Sequence, residues 1–259
     1  MLTEHFKRKF LNNFKVIDCH MHCGIQHVEQ SYESIKPKLE EAGVSVACMY
    51  APVEDIYDRG DSDFSDNDYW KEVRARANDY LLRIAETEPV IPYFFVWNDF
   101  RKESLKHGFK GIKWHRHSNE PEYNYNDPRC EEFLEKVFEL QLPIVLEEEY
   151  SNTLQLIDRI NGRTPVIIPH LGGLNGGYKA LKDIGVWRND NVYADTALAY
   201  QQDIEDFIKE YSAEKLLFGS DYPFGIPLKE KQKVLALEIP EKQKELILSK
   251  NIIRLLKLN

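Results

Sequence analysis

Val16-Ile17-Asp18-Cys19-His20-Met21-His22-Cys23-Gly24 is a short apolar run that closes on two histidines and one glycine. Its first half has the make-up of a buried strand, and its second half decides the architecture. An open, doubly wound sheet would carry a glycine-rich phosphate turn after its first strand, and no GxGxxG occurs here. A closed barrel instead sets its active residues at the carboxyl ends of its strands. His20-Met21-His22 stands at such an end.

Working outward, the same rhythm returns. Apolar runs at Val16–His20, Val44–Tyr50, Val90–Val96, Gly111–His115, Ile144–Leu146, Val166–Pro169, Val192–Asp195 and Leu216–Phe218 are rich in Val, Ile, Phe and Tyr. Gly, Pro, Asn or Asp bounds them, as expected of strands. Between them lie helix-like segments at Ser31–Ala42, Asn67–Glu88, Arg101–His107, Pro128–Leu140, Asn152–Ile160, Gln201–Tyr211 and Glu241–Ser249. In the fourth, Phe133, Val137, Phe138 and Leu140 make an apolar stripe opposite Glu131, Glu135 and Glu139, and Asn126-Asp127-Pro128 is a start signal. Alternating strand and helix with no break in composition predicts an α/β chain folded as one (β/α)₈ barrel over residues 1–259. Only Glu54–Asp68, with aspartates at 55, 58, 61, 63, 66 and 68, reads as a long loop: a lid, a binding loop or a surface excursion.

Composition narrows the partners. At 259 residues the chain can bury a large core without disulfides. Its 34 basic against 43 acidic residues give a formal charge of −9, and its basic clusters, Lys7–Lys9 and Lys229–Lys233, are short. Nucleic acid is therefore excluded as a partner. No apolar run approaches the roughly 20 residues of a membrane span, and Met1–Phe14 lacks the apolar core of a secretion signal. Cys19, Cys23, Cys48 and Cys130 have no CxxC spacing, which fits free thiols in a reducing cytoplasm. Barrel enzymes often form homodimers, though no interface patch is legible here.

The strand ends gather the ionisable residues. They carry Asp18, His20 and His22; Lys113 and His115, followed by Arg116; Glu147-Glu148-Glu149; His170; Asp195; and Asp221. Four of the eight histidines fall there. His20 and His22, two apart on a strand, point the same way and can share one divalent ion. Burying so many ionisable groups at one end is expensive unless they are paired or metal-bound. The substrate is therefore expected to be small and to meet a metal. Lys113 and Arg116 suit a substrate carboxylate, and His115 is either a ligand, a substrate contact or packing. Tyr222 either lines the pocket or packs beside Pro223. Asp18 orients a histidine or is structural, and Asp195 faces the mouth or caps a turn. Glu148 is expected to face away from the interior. His5, His27, His107 and His117 read as surface residues.

Taken together, Asp18-Cys19-His20-Met21-His22, Pro169-His170-Leu171-Gly172-Gly173 and Leu217-Phe218-Gly219-Ser220-Asp221-Tyr222-Pro223 resemble the amidohydrolase-related family. This is a group of metal-dependent barrels that includes aminocarboxymuconate-semialdehyde decarboxylase. The resemblance extends to Gly108–His115 and Asn251–Leu256, and so runs along almost the whole chain. It implies one divalent ion, zinc first and manganese second, held by His20, His22 and Asp221, with His170 beside the metal-bound water. The family's usual histidine at the end of strand five is Glu147 here. Glutamate is a competent ligand, so Glu147 can be the fourth member of the metal set; the alternative readings of this departure are weak metal binding or a different reaction. Other amidohydrolase branches use a carbamylated lysine between two metals, a role open to Lys113.

The activity so implied is hydrolysis of a small amide, ester or lactone by metal-activated water. Asp221 would take and return the proton, and His170 would hold the water or the oxyanion. The alternative is non-oxidative decarboxylation of a small carboxylic acid at the same site. A non-catalytic barrel is disfavoured by the four converging side chains.

Overall fold

The computed structural model describes residues 16–258; Met1–Phe14, with His5 and Lys7–Lys9, lies outside the described residues. Strands β1 (Ile17–His22), β2 (Val46–Tyr50), β3 (Val90–Pro92), β4 (Phe94–Phe95), β5 (Ile112–His115), β6 (Ile144–Glu147), β7 (Val166–Ile168), β8 (Val192–Asp195) and β9 (Leu216–Leu217) follow one another in space as in sequence. All pairings within the two ladders, β1–β3 and β4–β9, are parallel. The expected run Val90–Val96 divides at Tyr93 because the backbone changes partners there. The Tyr93 amide donates to Met49 O at 2.9 Å and the Phe94 amide to Gly111 O at 2.9 Å. At the other seam Cys19 N donates to Phe218 O (2.9 Å) and Asp221 N to His20 O (2.7 Å). Eight strand positions thus form the (β/α)₈ ring, completed by these bonds rather than by continuous ladders.

The helices are α1 (Tyr32–Ala42), α2 (Asp68–Ile84), α3 (Pro128–Glu139), α4 (Tyr150–Ile160), α5 (Tyr178–Asp183), α6 (Gln201–Tyr211), α7 (Pro227–Ala236), α8 (Glu241–Glu245) and α9 (Asn251–Leu255). In α3 the Asp127 carboxylate accepts from Arg129 N and Pro128 opens the first turn, where its missing N–H costs nothing. Leu140 departs from the expected buried stripe: it sits past the last turn of α3 and is exposed. Lys102–His107 is a 3₁₀ helix rather than an α-helix. Three helices, α5, α7 and α9, have no counterpart in the sequence reading. Helix α5 is too short to show a period, and the charged Lys229–Lys233 cluster hides α7. No helix of the described residues is long and apolar enough to cross a membrane.

Two apolar cores follow from the ring. Ile17, Cys19, Val46, Cys48, Tyr50, Val145 and Ile167 fill the barrel, whereas Met21, Cys23, Leu81, Phe133 and Phe207 pack between strands and helices. All four cysteines are free and buried. In β1 the inward face changes parity, from residues 17 and 19 to 20 and 22. The register supplies the reason: Asp18 lies opposite Ala47 but Met21 lies opposite Met49, so β1 carries one extra residue. A bulge of this kind re-aims the side chains that follow it, and here it turns both His20 and His22 into the barrel mouth.

Glu54–Asp68 is a loop, as expected, and it packs down on the mouth. The buried Arg74 guanidinium donates to Ile56 O (3.0 Å) and to Asp66 (2.7 and 2.9 Å). That anchor delivers Tyr57 and Arg59 to the loop after β5.

Candidate active site

Three imidazoles share one arrangement. His20 Nδ1 donates to Asp195 Oδ2 (2.6 Å), His22 Nδ1 to Ala51 O (3.1 Å) and His170 Nδ1 to Ala197 O (3.0 Å). Each acceptor can only accept, so each ring keeps its Nδ1 proton and turns Nε2 inward, where it carries a lone pair in the neutral ring and a proton in the charged one. The Nε2 atoms of His20 and His22 lie 3.2 and 3.4 Å from Asp221 Oδ1, and His170 Nε2 lies 3.8 Å from Asp221 Oδ2. His20 Nε2 is buried with no hydrogen-bond partner. A buried nitrogen left open, beside a carboxylate and further imidazoles, fits a divalent cation, and the carboxylate behind His20 is the support metal-binding histidines usually have.

Asp195 ties the pieces together, since its other oxygen accepts from His170 N (2.9 Å) and Ala197 N (3.0 Å). It therefore both faces the mouth and caps a turn. Asp18 Oδ1 accepts from His20 N (3.1 Å) and Ser220 N (3.0 Å), pinning the turn of Asp221 to β1. His170 and Asp221 both have left-handed backbones, φ 56° and 55°. Such conformations are uncommon for residues with a side chain and concentrate at functional sites. Behind Asp221, a Cβ on Gly225 would lie 2.1 Å from Ser220 O, so this tight turn admits only glycine there.

The charges are set by burial and by neighbours. Burial would push His20 down, yet the Asp195 and Asp221 carboxylates hold it at about 9, so a positive charge is welcome at that point. Burial would raise Asp221, but His20 and His22 hold it far below the usual carboxylate range. Burial lowers His22, whereas in His170 the Glu147 carboxylate overcomes burial and raises it.

Glu147 occupies the same mouth in a different way. Its Oε2 accepts from the fully buried Lys113 Nζ at 2.6 Å and lies 3.7 Å from His170 Nε2. Its Oε1 meets His117 Nε2 at 2.9 Å and His115 Nε2 at 3.2 Å. Glu147 therefore stands one place away from the His20, His22 and Asp221 group, next to Lys113 rather than next to Asp221. Lys113 is an ammonium paired with a carboxylate and stacked 4.6 Å over the Tyr50 ring. His115 is buried, and that burial pushes it down to about 4.

Several expectations need correction. His117 is half-buried rather than a free surface residue, since the loop after β5 folds back and lays its ring against Glu147. The Arg116 guanidinium, expected to meet a substrate carboxylate, is 1 % exposed and is held by Glu148 Oε1 (3.2 Å), Pro121 O (3.2 Å) and Glu120 O (3.1 Å). Glu148 is accordingly buried against Arg116 and Tyr125. Tyr222 packs on the outer core and offers the site only its carbonyl, which accepts from His22 N at 3.0 Å. Phe224 instead lies edge-on to His22, 5.9 Å between ring centres. Glu120, Tyr57 and Arg59 were not foreseen at all. Tyr57 Oη donates to Glu120 Oε2 (2.8 Å), and Arg59 Nε donates to Glu120 Oε1 (2.8 Å). Beside His170 opens a cleft of about 540 Å³ walled by Leu174, Leu198, Ala199 and Tyr200, a mostly apolar space for the body of a small molecule.

The support given to His20 is testable. Asp195→Asn should weaken binding of zinc or manganese by roughly 10–100-fold, because an amide no longer holds Nδ1–H as a carboxylate does. Competition against a chromophoric chelator measures this, and unchanged affinity would show that Asp195 has no part in it.

A family model described as amidohydrolase matches residues 17–258. Among curated proteins no match is found. Among solved structures, a 2,6-dihydroxybenzoate decarboxylase from Rhizobium superposes with a TM-score of 0.73 at 17% identity, covering 95% of this chain and 99% of that one. A dihydroxybenzoic acid decarboxylase from Polaromonas sp., with bound manganese and the inhibitor 2-nitroresorcinol, gives 0.73 at 17% identity over 95% and 98%. A probable 2-pyrone-4,6-dicarboxylic acid hydrolase from Acinetobacter baumannii, with citric acid bound, gives 0.64 at 18% identity over 94% and 100%. These similarities establish the shared fold. With the model match running from β1 to the residues after α9, the barrel and its ring of strand-end histidines and carboxylates place this chain in the amidohydrolase family.

Proposed function

We propose that this chain is a metal-dependent, non-oxidative decarboxylase of a small carboxylic acid. The observation that carries the reading is the convergence of His20, His22 and His170 Nε2 on Asp221, with the buried Lys113 ammonium behind them. His20, His22 and Asp221 would hold one divalent ion, zinc or manganese. When bound, such an ion polarises a carboxylate or water that reaches it.

The rest falls to the protein. Lys113 contributes a fixed positive charge near the substrate carboxylate, and Leu174 and Leu198 receive its apolar body. His170 Nε2, facing the Asp221 and Glu147 carboxylates, delivers a proton to the carbon that bears the carboxylate. The proton is taken up on the electron pair of the bond to that carboxylate as this bond breaks, and CO₂ departs: R–COO⁻ + H⁺ gives R–H + CO₂. This order reverses the expectation from sequence, in which hydrolysis led. Hydrolysis assigned the proton to Asp221, but both its oxygens face imidazoles. The acids acted on by the similar proteins described above also support a carboxylate substrate.

The hydrolytic reading keeps one specific support, the likeness to a probable pyrone-dicarboxylic acid hydrolase. One assay separates the two. Protein loaded with manganese or zinc is given 2,6-dihydroxybenzoate, 5-carboxyvanillate and 2-pyrone-4,6-dicarboxylate, with CO₂ and ring opening followed together. Release of CO₂ matching loss of the acid is expected. Ring opening without CO₂ replaces decarboxylation by lactone hydrolysis.

A further inference from the structure

The mouth contains a second group built on the same plan as the first. In the first, two histidines separated by one residue, His20 and His22, aim their Nε2 atoms at Asp221 Oδ1 over 3.2 and 3.4 Å. In the second, His115 and His117 aim theirs at Glu147 Oε1 over 3.2 and 2.9 Å. His170 stands between the two, 3.8 Å from Asp221 Oδ2 and 3.7 Å from Glu147 Oε2. We propose that His115, His117 and Glu147 form a second divalent-metal site, so that this barrel binds two ions side by side.

Geometry is the first support. With metal–ligand bonds of about 2.0–2.2 Å and ordinary coordination angles, neighbouring donor atoms lie about 3–3.5 Å apart, close to the 2.9–3.4 Å between each carboxylate oxygen and its two imidazole nitrogens. Glu147 is the second support. Lys113 occupies only Oε2, which leaves Oε1 to the two imidazoles. A single oxygen approached by two ring nitrogens either accepts two hydrogen bonds or shares one cation with them. Glu120 is the third. It lies on the far side of both rings, 3.8 Å from His115 Nδ1 and 3.6 Å from His117 Nδ1, as Asp195 lies behind His20. Donor atoms of His115, His117 and Glu120 all fall within 4.8 Å of one another. Glu120 itself is held by Arg59, Tyr57 and His117 N, which makes it a group that orients the rings rather than a ligand.

Charge sets the character of the site. The Glu147–Lys113 and Glu120–Arg59 pairs are each neutral, so a dication here carries excess positive charge. An ion at His115 and His117 would accordingly bind more weakly than one at His20, His22 and Asp221, and more tightly when an anionic ligand such as a carboxylate accompanies it. Imidazole donors favour zinc over calcium or magnesium. The proposal does not rest on the reaction assigned above, and it explains why a carboxylate stands where the family resemblance leads one to expect a histidine.

The test is metal content. Untagged protein is loaded with zinc chloride, or separately with manganese chloride, passed through a desalting column, and assayed by plasma mass spectrometry. About two ions per chain are expected for the natural protein and about one for His117→Gln, whose ring is partly exposed and whose loss the fold should tolerate. His22→Gln should also hold about one, and the double variant close to none. Glu147→Gln should match His117→Gln, which guards against a single variant that fails to fold, with circular dichroism as the check. About one ion in both the natural protein and His117→Gln overturns the second site and leaves a hydrogen-bonded network. Two ions in His117→Gln and Glu147→Gln overturn it equally. If His22→Gln retains both ions while His117→Gln loses one, the first site fails and the second stands.

Discussion

Asp221→Asn is expected to remove most of the metal from the first site and to lower kcat/KM by about 10³-fold, toward the upper range for loss of a central catalytic group. Asparagine is the informative replacement. It has nearly the same shape, and like aspartate it tolerates the left-handed backbone that Asp221 adopts at φ 55°. The fold and the Asp221–Gly225 turn should therefore survive while the charge is lost. What remains is His20 Nε2 and His22 Nε2 facing a neutral amide where a carboxylate oxygen lay 3.2 and 3.4 Å away. Metal analysis, a thermal melt and the decarboxylation assay together check this. Full activity with metal retained would remove Asp221 from the site.

Arg116→Ala should cost about 3–5 kcal/mol of folding stability, the range for breaking a buried ion pair from one side. Arg116 is 1 % exposed and Glu148 wholly buried, and the alanine leaves that carboxylate without its 3.2 Å partner. Three backbone carbonyls, those of Ser118, Glu120 and Pro121, lose a donor as well. These carbonyls belong to the loop that carries His117 and Glu120, so metal bound by His115 and His117 should fall in the same variant. Equilibrium unfolding in urea measures the first effect. A loss under about 1 kcal/mol would give the pair no more weight than an exposed one. Arg116→Met combined with Glu148→Gln should recover much of the loss, since removing both charges leaves neither unpaired.

The two substitutions probe parts of the molecule that differ in how far the sequence discloses them. His20, His22, His170 and Asp221 each stand at or within a few residues of the end of an apolar run and sit near a glycine or proline turn. A strand end is a local feature, and in a parallel barrel all strand ends meet at one mouth. Their convergence was therefore readable from order and spacing. Even there, the bulge in β1 was not: it depends on a register against β2 that one chain segment cannot display.

Local pattern determined the alternation of strands and helices, the barrel and the gathering of His20, His22, His170 and Asp221 at its mouth, because each rests on neighbours within a few residues. Tertiary structure alone decided what Glu147, Arg116, His117 and Glu120 do. Glu147 acquires its role from Lys113 and the His115–His117 pair some 30 residues earlier, and Glu120 from a loop some 60 residues before it. Such partners are chosen by desolvation: a charge taken out of water must find its counterpart in the fold, wherever the chain has placed it.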